Sequence, residues 1–176
     1  MLVIFNSKGN ISEWESNVLF APEIYKFGDE YYLYYSNTMK NTNEMELIFE
    51  SRSVNEGFAR VAVAAFMTQL NPTLEEVADV KTAVSEAVTN AIIHGYEKKV
   101  DKIRIHCWLR EQTLYIEIED YGKGMDDVKR AMEPLFTTKP ELERSGMGFA
   151  FMEAFMDDIS VESELGQGTL VKMQKE

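Results

Sequence analysis

From Met45 onward, apolar and polar positions follow periods that assign one element after another. MELIFES, at 45–51, is short, rich in large apolar residues, and predicts a strand. VNEGFARVAVAAFMTQL follows, and its apolar Phe58, Val61, Ala62, Ala65 and Phe66 recur at helical spacing, so a helix is expected. Asn71 and Pro72 end that helix and begin another, with Asn71 as N-cap and Pro72 at the first helical position. The second helix should run from about Thr73 to His94, where Gly95 supplies the stop. Two alternating runs come next: Ile103, Ile105, Cys107 and Leu109 share one face, then Leu114, Ile116 and Ile118 another, as expected of paired antiparallel strands buried on one side. A short helix near Asp126–Met132, a polar loop, a helix from about Gly146 to Met156, and strands near Ile159–Ser163 and Thr169–Gln174 complete the pattern. Helices and strands in this order predict an α+β protein, a two-layer α/β sandwich whose mainly antiparallel mixed sheet carries its helices on one face.

Residues 1–38 follow another regime, holding 9 of the 20 aromatic side chains in about a fifth of the chain. APEIYKFGDEYYLYYS reads as two aromatic-rich strands joined at Gly28 and Asp29, because Gly at the first central position supplies the positive φ of a type II′ turn. From Trp14 to Ser36 the segment weakly resembles one hairpin from a blade of the five-bladed propeller glycosidases. One hairpin is marginal in water, and it cannot bring together the carboxylate pair that sugar hydrolysis requires. Glu23 is therefore read as a turn or surface carboxylate. Met39 opens a stretch that could begin an independent protein, so 1–38 is expected to be an N-terminal extension outside the core and 39–176 the functional domain.

Charge narrows the partners. Asp and Glu number 30 against 18 Lys plus Arg, for a formal net charge of -12, and so acidic a surface repels a phosphate backbone. Direct nucleic-acid binding is not expected. A single cysteine, Cys107, cannot form an internal disulfide and points to a reducing compartment. No apolar run reaches membrane-spanning length and the first ten residues do not read as a secretory signal, so a cytoplasmic protein without a membrane anchor is expected.

Chemistry is written at four places. On the second predicted helix, SEAVTNAIIHG spaces Glu86, Asn90 and His94 four apart, which puts a carboxylate, an amide and an imidazole on one flank, opposite Val80, Val84 and Ala87. Such a flank can be simply solvated. It can also serve a divalent cation, because an Asn carbonyl ligates Mg²⁺ without cancelling its charge and a Glu one turn away can accept a proton or orient a nucleophile. His94, in the last turn, is explained by the helix dipole. At the end of the second paired strand, Asp120-Tyr121-Gly122-Lys123-Gly124 offers one fixed acceptor beside backbone that a flat ring can approach; as a bare pattern it also fits an ordinary strand end. Gly146, Met147 and Gly148 open a helix, where unpaired N–H groups and the helix dipole favour phosphate, with Thr137, Thr138, Lys139 and Arg144 in the loop before it, although GMG alone also fits an ordinary helix-start turn. Gly168 and Thr169 start the last strand.

In this order, ExxxNAxxH, DxGxG, GxG and GT resemble the nucleotide-binding boxes of the ATPase superfamily that includes gyrase-type ATPases, Hsp90 chaperones, histidine kinases and mismatch-repair ATPases. Two longer segments, MELIFESRSVNEGFARVAVAAFMTQLNPTLEEVADVKTAVSEAVTNAIIHGY and PLFTTKPELERSGMGF, resemble the anti-sigma-F serine kinases of endospore-forming bacteria over residues 39–176. The resemblance implies a Bergerat-type ATP-binding fold with ATP and Mg²⁺ as cofactors. It implies Asn90 as metal ligand, Glu86 as catalytic base or as the residue that orients the attacking serine, Asp120 on the adenine amine, and Gly122 and Gly124 shaping the base pocket. Gly146, Met147 and Gly148 would hold phosphates with Thr138 and Arg144 of the lid, and Thr169 would close the adenine side. It further implies a homodimer that binds an RNA polymerase sigma factor and phosphorylates a serine of an anti-anti-sigma protein. Arg60, near the start of the first long helix, is a candidate contact for both partners, with a surface pair to Glu56 as the simpler reading.

Three other readings stay open at this level. A nucleotide-gated binding module without transfer activity is one, which Glu86 argues against. A histidine-kinase catalytic domain is another, although the chain's histidines are His94 and His106 and neither stands on a preceding two-helix hairpin. Carbohydrate binding through residues 1–38 is the third. His106 alternates with Ile105 and Cys107 and reads as a sheet-face residue.

Overall fold

A computed structural model describes residues 19–27, 30–37, 43–97, 99–133 and 147–176. The chain divides into two compact units, residues 1–41 and 42–176. In the first, β1 (Leu19–Phe27) pairs antiparallel with β2 (Glu30–Asn37). The register shifts between Phe20 and Glu23, where Pro22 has no N–H to give a ladder. The turn expected at Gly28 and Asp29 lies outside the described residues.

The second unit begins with β3 (Glu44–Glu50) and α1 (Ser53–Met67), continued by a 3₁₀ turn at Thr68–Leu70. Next come α2 (Leu74–Asn90), a π-turn at Ala91–Gly95, and the hairpin of β4 (Lys102–Arg110) and β5 (Thr113–Asp120). The short α3 (Val128–Ala131), α4 (Gly148–Phe155), β6 (Asp158–Glu164) and β7 (Gly168–Lys175) complete the unit. The sheet order is β3-β4-β5-β7-β6 and every pairing is antiparallel, so the sheet is not mixed. Ile103, Ile105, Cys107 and Leu109 from β4 and Leu114, Ile116 and Ile118 from β5 are buried in one core with Val80, Val84, Ala87 and Val88 of α2 and Met152 of α4. Each fully buried Val, Ile or Leu contributes roughly 1.5–3 kcal/mol, and α2, lying against both α1 and α4, gathers much of it. Among the described residues, no helix is long and apolar enough to cross a membrane.

Two local expectations are corrected. Asn71 is not the cap of α2: its φ of 53° places it in the left-handed region, where it closes the 3₁₀ turn. Thr73 is the cap, and Leu74, not Pro72, is the first helical residue. The Thr73 hydroxyl accepts from the Glu76 N–H at 3.2 Å while the Glu76 carboxylate accepts from the Thr73 N–H at 2.6 Å, a reciprocal capping box that outcompetes Asn71. The second correction concerns α1, whose buried side chains are Ala59, Val63, Ala64, Phe66 and Met67. Phe58 and Val61 of the expected stripe are more than half exposed, as are Val54 and Ile48. Ala65 of that stripe is exposed as well and Ala62 only half-buried, so of the five expected positions Phe66 alone is buried, and the covered face is the adjoining one.

Candidate functional site

The helix that carries Glu86 and Asn90 changes pitch immediately after Asn90. The Tyr96 N–H reaches back to the Ala91 carbonyl at 3.1 Å, five residues away, and Ala91–Gly95 form the π-turn. Inserting a residue into a helix in this way re-aims the chain beyond it, and such turns are frequent at functional sites. Here it delivers Gly95 to the end of β5. The approach is so close that a Cβ at Gly122 would stand 2.2 Å from the Gly95 carbonyl oxygen, and one at Gly95 would stand 2.6 Å from Asp120 Oδ1. Neither position admits a side chain. The Lys123 N–H donates to the Gly95 carbonyl at 2.9 Å and the Tyr121 N–H to the Tyr96 hydroxyl at 2.8 Å, while that hydroxyl donates to the Lys102 carbonyl. The 120–124 loop is thereby held on the end of α2.

A cavity of about 550 Å³ lies along this junction. Asn90, His94, Asp120, Gly124, Gly148 and Thr169 are in its wall. At one end Asp120 is 5 % exposed, and Oδ1 accepts from the Gly122 N–H at 2.9 Å. The Thr169 N–H also favours the ionised form of this carboxylate, β5–β7 register setting the two residues opposite each other. Burial pushes the Asp120 carboxyl up to about 6, and the two N–H groups restrain it from going further. At the other end Glu86 and Asn90 converge on the first turn of α4. A Cβ at Gly148 would lie 3.1 Å from Glu86 Oε2 and 3.4 Å from Asn90 Oδ1, so glycine is what lets the two side chains meet that helix start. Glu86 and Gly122 are not wall residues themselves. Glu86 borders the site at Gly148, and Gly122 packs on Gly95 behind it. Met147 is the residue immediately before α4.

Four widely separated segments of sequence are thus brought to one cavity. Thr138, Arg144 and Gly146 lie outside the described residues. Arg60 stands on the exposed side of α1, with Nε 3.5 Å from Glu56 Oε1, and Glu56 in turn accepts from the Ser85 hydroxyl at 2.5 Å. Reading the sequence missed the part played by Gly95 and Tyr96, because a glycine and an aromatic after a helix signal only its end. His94, expected only to interact with the helix dipole, is a wall residue, as is Arg130 of α3. Among the described residues no three His, Cys, Asp or Glu cluster as a metal site. His106 is on the open face of the sheet against Trp108, with Glu44 at 3.4 Å. Cys107 is buried, and burial pushes its thiol up to about 12, which leaves it unreactive.

A five-stranded antiparallel sheet under helices, with an Asn-bearing helix and an Asp–Gly loop enclosing one cavity, defines an ATPase domain of the histidine kinase type. The family model described as histidine kinase-like ATPase domain matches residues 49–175. Similarity is much denser to the anti-sigma F factors. That of Thermoanaerobacter sp. (strain X514) is 58% identical over 137 residues, covering 78% of this chain and 96% of its own length. That of Clostridium botulinum (strain Eklund 17B / Type B) is 60% identical over 134 residues, covering 76% and 94%. That of Clostridium acetobutylicum is 58% identical over 133 residues, covering 76% and 93%. A histidine kinase domain from the Erythrobacter litoralis EL346 blue-light activated histidine kinase aligns with a TM-score of 0.44 at 15% identity, over 68% of this chain and 60% of that one, a likeness too loose to bear on function. The chain belongs to the anti-sigma F factor family within the histidine kinase-like ATPase domains.

Proposed function

We propose that this protein is an ATP-dependent anti-sigma factor and serine kinase, which sequesters a sporulation sigma factor and phosphorylates a serine of the anti-anti-sigma protein that opposes it. The observation that carries the transfer half of this reading is the convergence of Glu86 and Asn90 on Gly148. At the opposite end the Asp120 carboxylate is an acceptor for the exocyclic amine of adenine, with Gly124 and Thr169 beside the ring. The start of α4, with Met147 and Gly148, offers N–H groups to phosphate. Gly146, Thr138 and Arg144 are assigned to the same phosphates through the family. The Asn90 carbonyl would hold Mg²⁺. A site with one amide and no carboxylate cluster among the described residues suits a cation carried mainly by phosphates and water. When bound, that cation neutralises charge developing on the transferring phosphoryl group.

Transfer forms a bond from the partner's serine Oγ to the γ-phosphorus and breaks the bond from that phosphorus to the oxygen bridging to the β-phosphate, releasing ADP. Glu86 takes the hydroxyl proton. General-base help of this kind is worth about 10² to 10⁴-fold. Glu86→Ala should therefore keep ATP and sigma-factor affinity while losing transfer by about that factor, measured by single-turnover phosphorylation of the anti-anti-sigma protein with labelled ATP. A Glu86→Ala variant with wild-type transfer would favour the alternative, a nucleotide-gated sigma-binding module, and would remove the base assignment.

Assembly as a homodimer is supported by α1, whose Val54, Phe58 and Val61 form an exposed apolar stripe, with Arg60 beside it. Arg60 would contact an acidic face common to the sigma factor and the anti-anti-sigma protein, which makes the two partners mutually exclusive. Action in the cytoplasm agrees with an unpaired, buried Cys107.

A further inference from the structure

The row of strand positions that holds Asp120 continues two strands further. Register sets Asp120 on β5 opposite Thr169 on β7, and Thr169 opposite Ser163 on β6. Ser163 is a meeting point of three segments. Its hydroxyl donates to the Gly168 carbonyl at 2.8 Å, accepts from the Met125 N–H at 2.8 Å, and lies 3.0 Å from the Thr169 hydroxyl oxygen. A serine hydroxyl has one proton and two lone pairs. The Gly168 carbonyl can only accept, so the Ser163 proton is committed there. One lone pair takes the Met125 N–H. The contact with Thr169 is then a hydrogen bond only if Thr169 is the donor. Its proton points at Ser163, and the hydroxyl of this wall residue has only lone pairs left for the cavity.

Asp120 presents the same polarity. Its carboxylate is already approached from behind by the N–H groups of Gly122 and Thr169 and can only accept from a ligand when ionised. We propose that Ser163 is a positioning residue for base selection: by taking the Thr169 proton it makes the base end of the cavity accept-only, which favours a 6-amino purine over a 6-oxo purine. This rests on the adenine reading of the cavity. An exocyclic amine brings two N–H donors to such an end. A 6-oxo group brings only lone pairs and is left unpaired against them, which is how a buried polar site discriminates most strongly. Asp120 alone would supply part of the selection. Ser163 removes the escape in which Thr169 turns its proton toward the oxo group.

ATP and ITP test this, and because ITP also exchanges the N1 lone pair for an N1–H donor, purine riboside triphosphate, which lacks the amine and keeps the N1 lone pair, is titrated beside them to isolate the 6-position. Affinities of all three would be measured by calorimetry for the full chain and for Ser163→Ala, Ser163→Thr and Ser163→Cys. Ser163→Ala frees the Thr169 proton, so the ATP-over-ITP preference should narrow by roughly five- to tenfold, the scale of one neutral hydrogen bond. Ser163→Thr keeps the hydroxyl and should keep the wild-type ratio. If Ser163→Ala weakens both nucleotides equally and the ratio stands, Ser163 is merely structural and the proposal is overturned. Should Ser163→Ala not fold cooperatively, Ser163→Cys, whose thiol is a poor acceptor, should narrow the ratio, and an unchanged ratio there overturns the proposal equally. A wild-type protein that binds ATP and ITP alike would instead refute the adenine reading itself, an outcome distinct from a preserved preference in the variants.

Discussion

Asp120 carries two opposite pH dependences, and their signs separate its roles. Its carboxyl is raised to about 6 from an ordinary value of 3.8, so between those values the folded state holds more protons than the unfolded chain. Stability from this group is therefore greatest at low pH and falls as pH rises through that window. Recognition of an amine needs the ionised form, so ATP affinity should fall as pH drops below about 6, approaching tenfold per unit. Calorimetric titration with ATP from about pH 5 to 8 checks this against Asp120→Asn, whose profile should lose that component together with the preference for adenine over guanine. Parallel profiles in the two proteins would detach Asp120 from the base. Gly148 and Gly122 are tied to the same design from the other side. Each is a place where the absence of a Cβ lets functional groups or backbone approach within about a van der Waals contact.

At the scale of elements, α2 is the organising piece. It starts with a capping box that resists fraying and ends with a change of pitch, and between the two it fixes Glu86 and Asn90 relative to the sheet. Thr73→Ala removes the hydroxyl that accepts the Glu76 N–H and should cost about 1 kcal/mol. Chemical denaturation should show it as a lower midpoint at unchanged slope. ATP affinity should be unaffected, because the cap lies at the far end of the helix from Asn90. The α1 helix teaches a different lesson. Helical spacing alone assigns Phe58 and Val61 to an apolar stripe, yet the face against α2 is built from Ala59, Val63 and Ala64 with Phe66 and Met67. A helix with two apolar faces reads the same from either, and only packing says which one is covered.

For the whole molecule, charge and extension set the expectations. An acidic body argues against DNA, and the arginine on α1 is the contact proposed above for an acidic partner face. The ion pair of Arg60 with Glu56, at 3.5 Å and partly exposed, is worth only about 0.5 kcal/mol or less to the fold. Arg60→Glu should thus leave ATP binding and thermal stability nearly unchanged and weaken both the sigma factor and the anti-anti-sigma protein, chiefly through slower association. Surface plasmon resonance against each partner, in ATP and in ADP, reads this out, and wild-type rates for both would return Arg60 to a simple surface pair. The separation of the chain into two units frames the last expectation. Deleting residues 1–38 should preserve ATP affinity and phosphate transfer and improve solubility, because an unpaired strand edge is an association hazard. Loss of the cooperative thermal transition on deletion would instead make the segment part of the core.

Local patterning is enough for the order of elements, the half-buried β4–β5 hairpin and the flank of α2 that carries Glu86 and Asn90, since each of these arises from a local period of two or 3.6 residues. Glu86 and Asn90, Asp120 with its glycines, and Gly146 to Gly148 are also visible in order along the chain, although their reading as nucleotide-binding marks comes from the family resemblance and not from spacing. That these segments line one cavity depends on long-range packing. The adjacency of Asp120, Thr169 and Ser163 comes from β7 lying between β5 and β6, an order no local pattern encodes. The meeting of Gly95 with Gly122 needs the π-turn, which extends the helix by a change of hydrogen-bond register rather than of residue type. The cap at Thr73 won over Asn71 because a reciprocal pair with Glu76 satisfies two N–H groups together, a competition resolved by geometry and not by propensity.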